Sequence, residues 1–123
     1  YYCFNIVTEE EGRAAAVLVR AVEPIEGIER MAENRYKKPI KKINKKQILN
    51  LTSGPGKLCM AMNITKENNE MDLCGDDIYI TEGRQKEKID VITTKRINID
   101  YAEEAVDFPW RFYIKDNPFI SKK

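Results

Sequence analysis

Short apolar runs bounded by turn residues punctuate the chain, and two longer stretches carry apolar residues at helical spacing. Tyr1-Tyr2-Cys3-Phe4-Asn5-Ile6-Val7 is aromatic and β-branched, which predicts a strand over residues 1–8, ended by Glu9-Glu10-Glu11-Gly12. A second strand is predicted over 14–22, apolar through Val17, Leu18 and Val19, and pairs with the first as an antiparallel hairpin. Pro24 opens a predicted helix running to about Asn34, with Ile25, Ile28, Met31 and Ala32 on one face. A short helix is expected around 47–51. Another follows Ser53, burying Leu58, Cys59, Ala61 and Met62. Residues 65–75 are polar and read as irregular. Ile78-Tyr79-Ile80 predicts a short strand, 89–99 one or two more, 101–106 a helical turn, and Pro109-Trp110-Arg111-Phe112-Tyr113-Ile114 a late strand before an irregular tail. Hairpins with inserted helices argue for an α+β fold, a single domain built on a curved antiparallel β-sheet.

A length of 123 residues with 42% apolar composition allows one domain with a real core. No apolar stretch approaches about 18 residues, so no transmembrane helix is expected. The abrupt opening on a strand, with no initiator Met, leads us to expect a partial domain over 1–123 whose N-terminal portion would pair with that strand. Cys3, Cys59 and Cys74 are odd in number and lack CxxC spacing, and histidine is absent. A zinc site and a disulfide framework are therefore not expected, and the thiols read as buried and free in a reducing cytosol. Without histidine, acid–base work falls to carboxylates, Lys, Tyr or residues upstream.

The net charge of +1 conceals an asymmetry. Between Arg35 and Lys46 stand seven cations and no acid, leaving 14 cations against 20 acids elsewhere. Such a basic loop suits a nucleic-acid backbone, while the charge run alone favours a solvated, partly disordered loop.

Three positions carry candidate chemistry. Ser53-Gly54-Pro55-Gly56-Lys57-Leu58-Cys59 sets a helix start, two glycines and a lysine where a phosphate can sit. Gly54 and Gly56 permit close backbone approach, Pro55 suits the first turn, Ser53 can cap, and Lys57 adds mobile charge. A plain helix cap explains the same residues. The segment is not a nucleotide P-loop, because Leu51 stands where the first glycine is needed and Leu58 where Ser or Thr is needed. Arg20 sits between Val19 and Ala21, and by strand alternation shares a face with Leu18 and Val22. It needs a buried anion, water or carboxylate, or else is an edge-strand arginine paired with an acid such as Glu23. Asn5 is a lone amide in an apolar strand, serving either a local backbone group or the edge of a ligand.

Taken in order, five landmarks point one way. They are Tyr1-Tyr2-Cys3-Phe4-Asn5-Ile6, Val17-Leu18-Val19-Arg20-Ala21-Val22-Glu23-Pro24-Ile25-Glu26-Gly27, Ser53-Gly54-Pro55-Gly56-Lys57-Leu58-Cys59, Arg96-Ile97-Asn98-Ile99-Asp100-Tyr101-Ala102 and Pro109-Trp110-Arg111-Phe112-Tyr113. The chain resembles the alkyladenine (3-methyladenine) DNA glycosylase family throughout, over roughly the C-terminal two-thirds of such a protein, in its bacterial form. That resemblance implies a fold like the C-terminal domain of formyltransferases. It implies a monofunctional DNA repair glycosylase that flips alkylated or deaminated purines out of duplex DNA and hydrolyses the N-glycosidic bond, leaving an abasic site. It implies no metal or organic cofactor, double-stranded DNA with damaged purines as partner, no membrane, a monomer, and a bacterial cytoplasmic location with nucleoid-associated activity.

The resemblance also assigns roles. Arg20 would hold the attacking water together with a glutamate from the family's N-terminal third. The Ile97 main-chain carbonyl would touch the same water. Asn5 would crowd the exocyclic amine of normal guanine, Leu18 would line the same pocket, and Lys57 would contact a DNA phosphate. Asn98 stands where the family usually has glycine, at a backbone N–H that approaches phosphate. Asn tolerates the left-handed conformation such a position requires. Lys57 as a Schiff-base nucleophile is an alternative that the resemblance disfavours. A non-catalytic nucleic-acid-binding module of the same fold is the rival reading, and the fragment alone is expected to be inactive.

Overall fold

The computed structural model describes residues 1–83 and 88–121. It is a mixed fold of helices and strands, with two small antiparallel sheets. The chain divides into two compact units, Tyr1–Thr81 with the tail from Pro118, and Glu82–Asn117.

In the first unit, β1 (Phe4–Val7) pairs antiparallel with β2 (Ala16–Val19). Thr8 N–H donates to the Ala15 carbonyl beyond the ladder, and Gly12, at φ 94°, supplies the left-handed residue of the connection. Both strands are shorter than their apolar runs predict. Arg20 therefore follows β2 instead of lying inside it.

Helix α1 (Ile28–Tyr36) begins four residues later than Pro24. Gly27, left-handed at φ 73°, is its N-cap, and a left-handed N-cap turns the chain in a way no upstream proline specifies. Pro24 is buried ahead of it. The segment read as a basic loop is ordered. Arg35 and Tyr36 complete α1, a single 3-10 turn spans Ile40–Lys42, and α2 covers Lys45–Leu49. A capping box sets the start of α2: the Asn44 side chain accepts from Gln47 N–H at 2.9 Å, and Gln47 Oε1 accepts from Asn44 N–H at 2.9 Å.

Helix α3 (Pro55–Ala61) packs against α1 and β1 and supplies half of the buried apolar residues. Leu51, Leu58, Cys59, Ala61 and Ile64 are buried with Ala32 of α1. Met62, expected inside, is exposed because the helix stops at Ala61. Asn63 follows in the left-handed conformation at φ 55°. Ile64 N–H then reaches the Cys59 carbonyl at 2.8 Å and Asn63 N–H the Met60 carbonyl at 3.3 Å, the paired bonds of a Schellman stop. Thr52 is fully buried, and its hydroxyl donates to the Val22 carbonyl at 2.6 Å. Ile78-Tyr79-Ile80 does not form a strand; Tyr79 makes one isolated bridge to Cys74.

In the second unit, β3 (Val91–Thr94) pairs antiparallel with β4 (Arg111–Ile114). Ile92 and Tyr113 face each other half-buried, flanked by the exposed pairs Val91–Ile114 and Thr93–Phe112, the alternation expected of a one-sided sheet. The connection carries 3-10 turns over Asp100–Asp107, broken by Glu103 at φ 53°. Phe108 meets Trp110 edge-to-face at 4.8 Å, and the Arg96 guanidinium lies 5.3 Å from the Trp110 ring centre. Among the described residues no helix is long and apolar enough to cross a membrane.

Candidate functional site

Of the six residues singled out by sequence, four stand in the first unit and two in the second. The hairpin register puts Asn5 directly opposite Leu18. Directly opposed residues of an antiparallel pair project from the same face, so the amide and the isobutyl group are immediate neighbours. Asn5 is exposed and Leu18 half-buried. Arg20 follows two residues after Leu18, half-buried, and its Nε donates to the Ser121 hydroxyl at 3.2 Å. That bond joins residues 101 positions apart, so no local pattern announces it.

Lys57 lies in the first turn of α3. Its Nζ donates to Asn50 Oδ1 at 2.6 Å, and the same oxygen accepts from the Ser53 hydroxyl at 2.7 Å. Ser53 is therefore not a helix cap. The N-cap is Gly54, extended at φ −176°, with no side-chain cap, and Pro55 follows at the start of the helix as expected. Asn50 was missed by sequence reasoning, and the one available clue is an amide seven residues before a lysine at a helix start. Its oxygen is neutral, so it orients the ammonium without cancelling its charge.

The glycines need a different reading. A Cβ on Gly56 would lie 3.1 Å from the Tyr1 Cβ and 3.3 Å from its ring, so the close approach at this position is to Tyr1. A Cβ on Gly54 would meet only the Lys57 methylenes, at 3.6 Å or more.

Two hollows open on the first unit. One of about 430 Å³ is lined by Tyr2, Asn63 and Thr65 to Asn68. Another of about 270 Å³ lies among Tyr1, Tyr2, Asn34, Gly56, Cys59 and Ile64. Neither includes Asn5, Leu18 or Arg20. All three cysteines are free thiols, but Cys3 and Cys74 are exposed and Cys59 alone of the three is buried, because it faces inward from α3. Burial pushes the Cys59 thiol up, and the nearby Cys3 adds to the shift, so Cys59 stays protonated and packs as a small apolar side chain. Among the described residues no three His, Cys, Asp or Glu side chains come together to hold a metal ion.

In the second unit, Ile97 is half-buried and Asn98 exposed, just before the Asp100–Asp107 turns. Asn98 adopts the left-handed conformation at φ 58°. This is the backbone geometry that glycine reaches without cost and that asparagine tolerates best among the other residues.

Comparison with known proteins matches the sequence model of the methylpurine-DNA glycosylase (MPG) family to residues 1–118. The chain belongs to that family. A relative from Alkaliphilus oremlandii is 68% identical over 123 residues, all of this chain and 60% of that protein. One from Clostridium tetani is 60% identical over 123 residues, again all of this chain and 61% of that protein. One from Desulfitobacterium hafniense is 56% identical over 123 residues, the whole of this chain and 60% of that protein. All three are provisionally named 3-methyladenine DNA glycosylases. This methylpurine-DNA glycosylase family member thus spans about 60% of the length of the curated relatives it matches.

Proposed function

We propose that the full-length protein is a monofunctional DNA-3-methyladenine glycosylase acting in base excision repair. The observation that carries this reading is the family match over residues 1–118, and it supports the enzyme over a non-catalytic binding module. The proposed fold of the family domain is the curved antiparallel sheet of the formyltransferase C-terminal-domain type, with residues 1–123 contributing part of it.

The proposed chemistry follows from the substrate. A purine alkylated at a ring nitrogen carries positive charge, which already weakens its bond to the sugar. Inside the stack that bond is inaccessible, so the nucleotide must be turned out of the duplex. A water held beside the sugar then attacks C1′, its proton passes to a carboxylate, the glycosidic bond breaks toward the base, and an abasic site remains. Arg20 is proposed to position that water. The glutamate base that the resemblance implies is assigned to the part of the relatives outside the matched 60%. Residues 1–123 alone are accordingly proposed to be inactive. No metal or organic cofactor is assigned a step. A monomer in the bacterial cytoplasm, working at the nucleoid, completes the proposal.

Base release from duplex oligonucleotides bearing a single defined lesion tests the activity. 3-Methyladenine, 7-methylguanine, hypoxanthine and ethenoadenine are the substrates to compare, and release of none of them by the full-length protein refutes it. Asn5 and Leu18, neighbours across the hairpin, are proposed to read the flipped base. The Asn5 amide crowds the exocyclic amine of normal guanine, which rejects that base by a clash. Asn5→Ser is expected to raise excision of undamaged guanine about tenfold, since relieving one such clash is worth about 1.4 kcal/mol. No gain in guanine release removes Asn5 from the pocket.

Lys57 and the Asn98 backbone are proposed to hold DNA phosphates. Lys57→Ala is expected to weaken duplex binding and to reduce the slope of log K against log salt by about 0.9, one phosphate's worth. An unchanged slope takes Lys57 out of the interface.

A further inference from the structure

The six lysines of the ordered basic segment have no part in the site above, and the fold presents them in a way that calls for an anion. Lys37-Lys38, Lys41-Lys42 and Lys45-Lys46 are doublets repeating every four residues, with Ile40 and Ile43 between them and Ile48 just beyond. The isoleucines are half-buried and all six lysines are exposed.

Two clasps close the segment on itself. The Tyr36 hydroxyl donates to the Gln47 carbonyl at 2.8 Å, bringing together the residues that bracket all three doublets. Arg35, the seventh cation, is spent internally: its Nε donates to the Leu51 carbonyl at 3.0 Å and its Nη2 to the Asn50 carbonyl at 3.1 Å. The lysines are thus carried on a short closed lobe whose ends are fixed, the architecture of a compact surface loop packed by its own side chains.

Among the described residues no acid pairs with these lysines. The salt bridges of Arg13 with Glu9 and of Lys95 with Asp107 both lie elsewhere. Six like charges within ten residues repel one another, and holding them on a fixed lobe raises that cost above what a loose loop would bear. A polyanion spanning several charges relieves the repulsion and gains entropy from the counterions it releases. The lobe is also continuous with Lys57. Asn50 N–H donates to the Lys46 carbonyl at 3.0 Å, and the Asn50 side chain holds Lys57 Nζ.

We infer that the Lys37–Lys46 lobe is a lesion-independent contact for the duplex DNA backbone, extending the phosphate footprint outward from Lys57. The inference rests on the glycosylase reading above. Lysines recognise phosphate as point charges and read no base edges, so the lobe adds affinity for any duplex and no preference among lesions.

The test is the fourfold variant Lys41→Gln, Lys42→Gln, Lys45→Gln, Lys46→Gln in the full-length protein, with binding to undamaged duplex measured across a salt series. The slope of log K against log salt is expected to fall by about 2 or more, at about 0.9 for each phosphate no longer neutralised. Affinity near 0.1 M salt is expected to drop tenfold or more, while the thermal midpoint stays level or rises as repulsion is removed. A variant that melts early is replaced by the pairs Lys41→Gln with Lys42→Gln and Lys45→Gln with Lys46→Gln, each expected to cost half the slope. A wild-type slope in folded variants overturns the lobe assignment and leaves the glycosylase reading standing. A wild-type protein with no duplex affinity overturns both. A variant that keeps the DNA slope but loses adhesion to phosphatidylserine vesicles reassigns the lobe to membranes, and likewise overturns the inference.

Discussion

Arg20→Ala is expected to cut single-turnover base release by on the order of 10²–10³-fold in the full-length protein, the range typical of losing one preorganised hydrogen-bond donor. Arg20 is half-buried just beyond β2, two residues after Leu18, and Leu18 is the cross-strand neighbour of Asn5. A guanidinium can hold a water with one edge while another N–H is anchored, here by the Ser121 hydroxyl at 3.2 Å. Alanine removes the donor fork but leaves the strand pairing intact. The bond to Ser121 contributes about 1 kcal/mol of stability, a small part of the ~5–15 kcal/mol typical of a folded domain. The variant should therefore remain folded and bind damaged duplex while releasing base slowly. Arg20→Lys keeps the charge and loses the planar fork, so an intermediate rate is expected. Release of hypoxanthine or 3-methyladenine by Arg20→Ala near the wild-type rate excludes the water-positioning role.

The largest effect on folding is expected from Leu58→Ala. Leu58 is 0% exposed in α3, beside Leu51, Cys59 and Ala61, in a core of few large side chains. Truncating a buried leucine costs about 2–5 kcal/mol through lost transfer energy and the cavity left behind. Against a total stability of about 5–15 kcal/mol, that is a large share. The urea midpoint should fall by about 1–2 M, given slopes of about 1–3 kcal/mol per molar. Met60→Ala on the same helix, 39% exposed, should shift it by well under half as much. Equal shifts for the two variants would show that α3 does not carry the core as described.

Elements whose signal is local were legible in the sequence. The β-branched and aromatic runs around Phe4–Val7 and Ala16–Val19 announced a hairpin, and Pro55 announced the start of α3. Boundaries failed where a single backbone conformation decides them. Pro24 is a good first helical residue, yet a left-handed Gly27 sets the actual start of α1. Ser53 is a good cap by type, yet the Asn50 amide captures its hydroxyl. Ile78-Tyr79-Ile80 has strand composition but lacks a partner ladder, and composition alone cannot supply one.

The candidate site divided in the same way. Asn5 beside Leu18 was within reach of alternation once the hairpin was assumed. The Arg20–Ser121 bond and the Asn50–Lys57 bond were not, because each depends on how separate elements pack. The basic segment was legible as charge and illegible as structure. Its order comes from carbonyls at Gln47, Asn50 and Leu51 accepting from Tyr36 and Arg35, and backbone acceptors leave no mark in composition.

The hydroxyl of Ser121 ties the segment after Pro118 to the water-positioning role proposed for Arg20. Protease nicking between Phe119 and Ser121 would disturb the tether on one N–H of Arg20. Base release by the proposed glycosylase would then slow through a change 101 positions along the chain from Arg20.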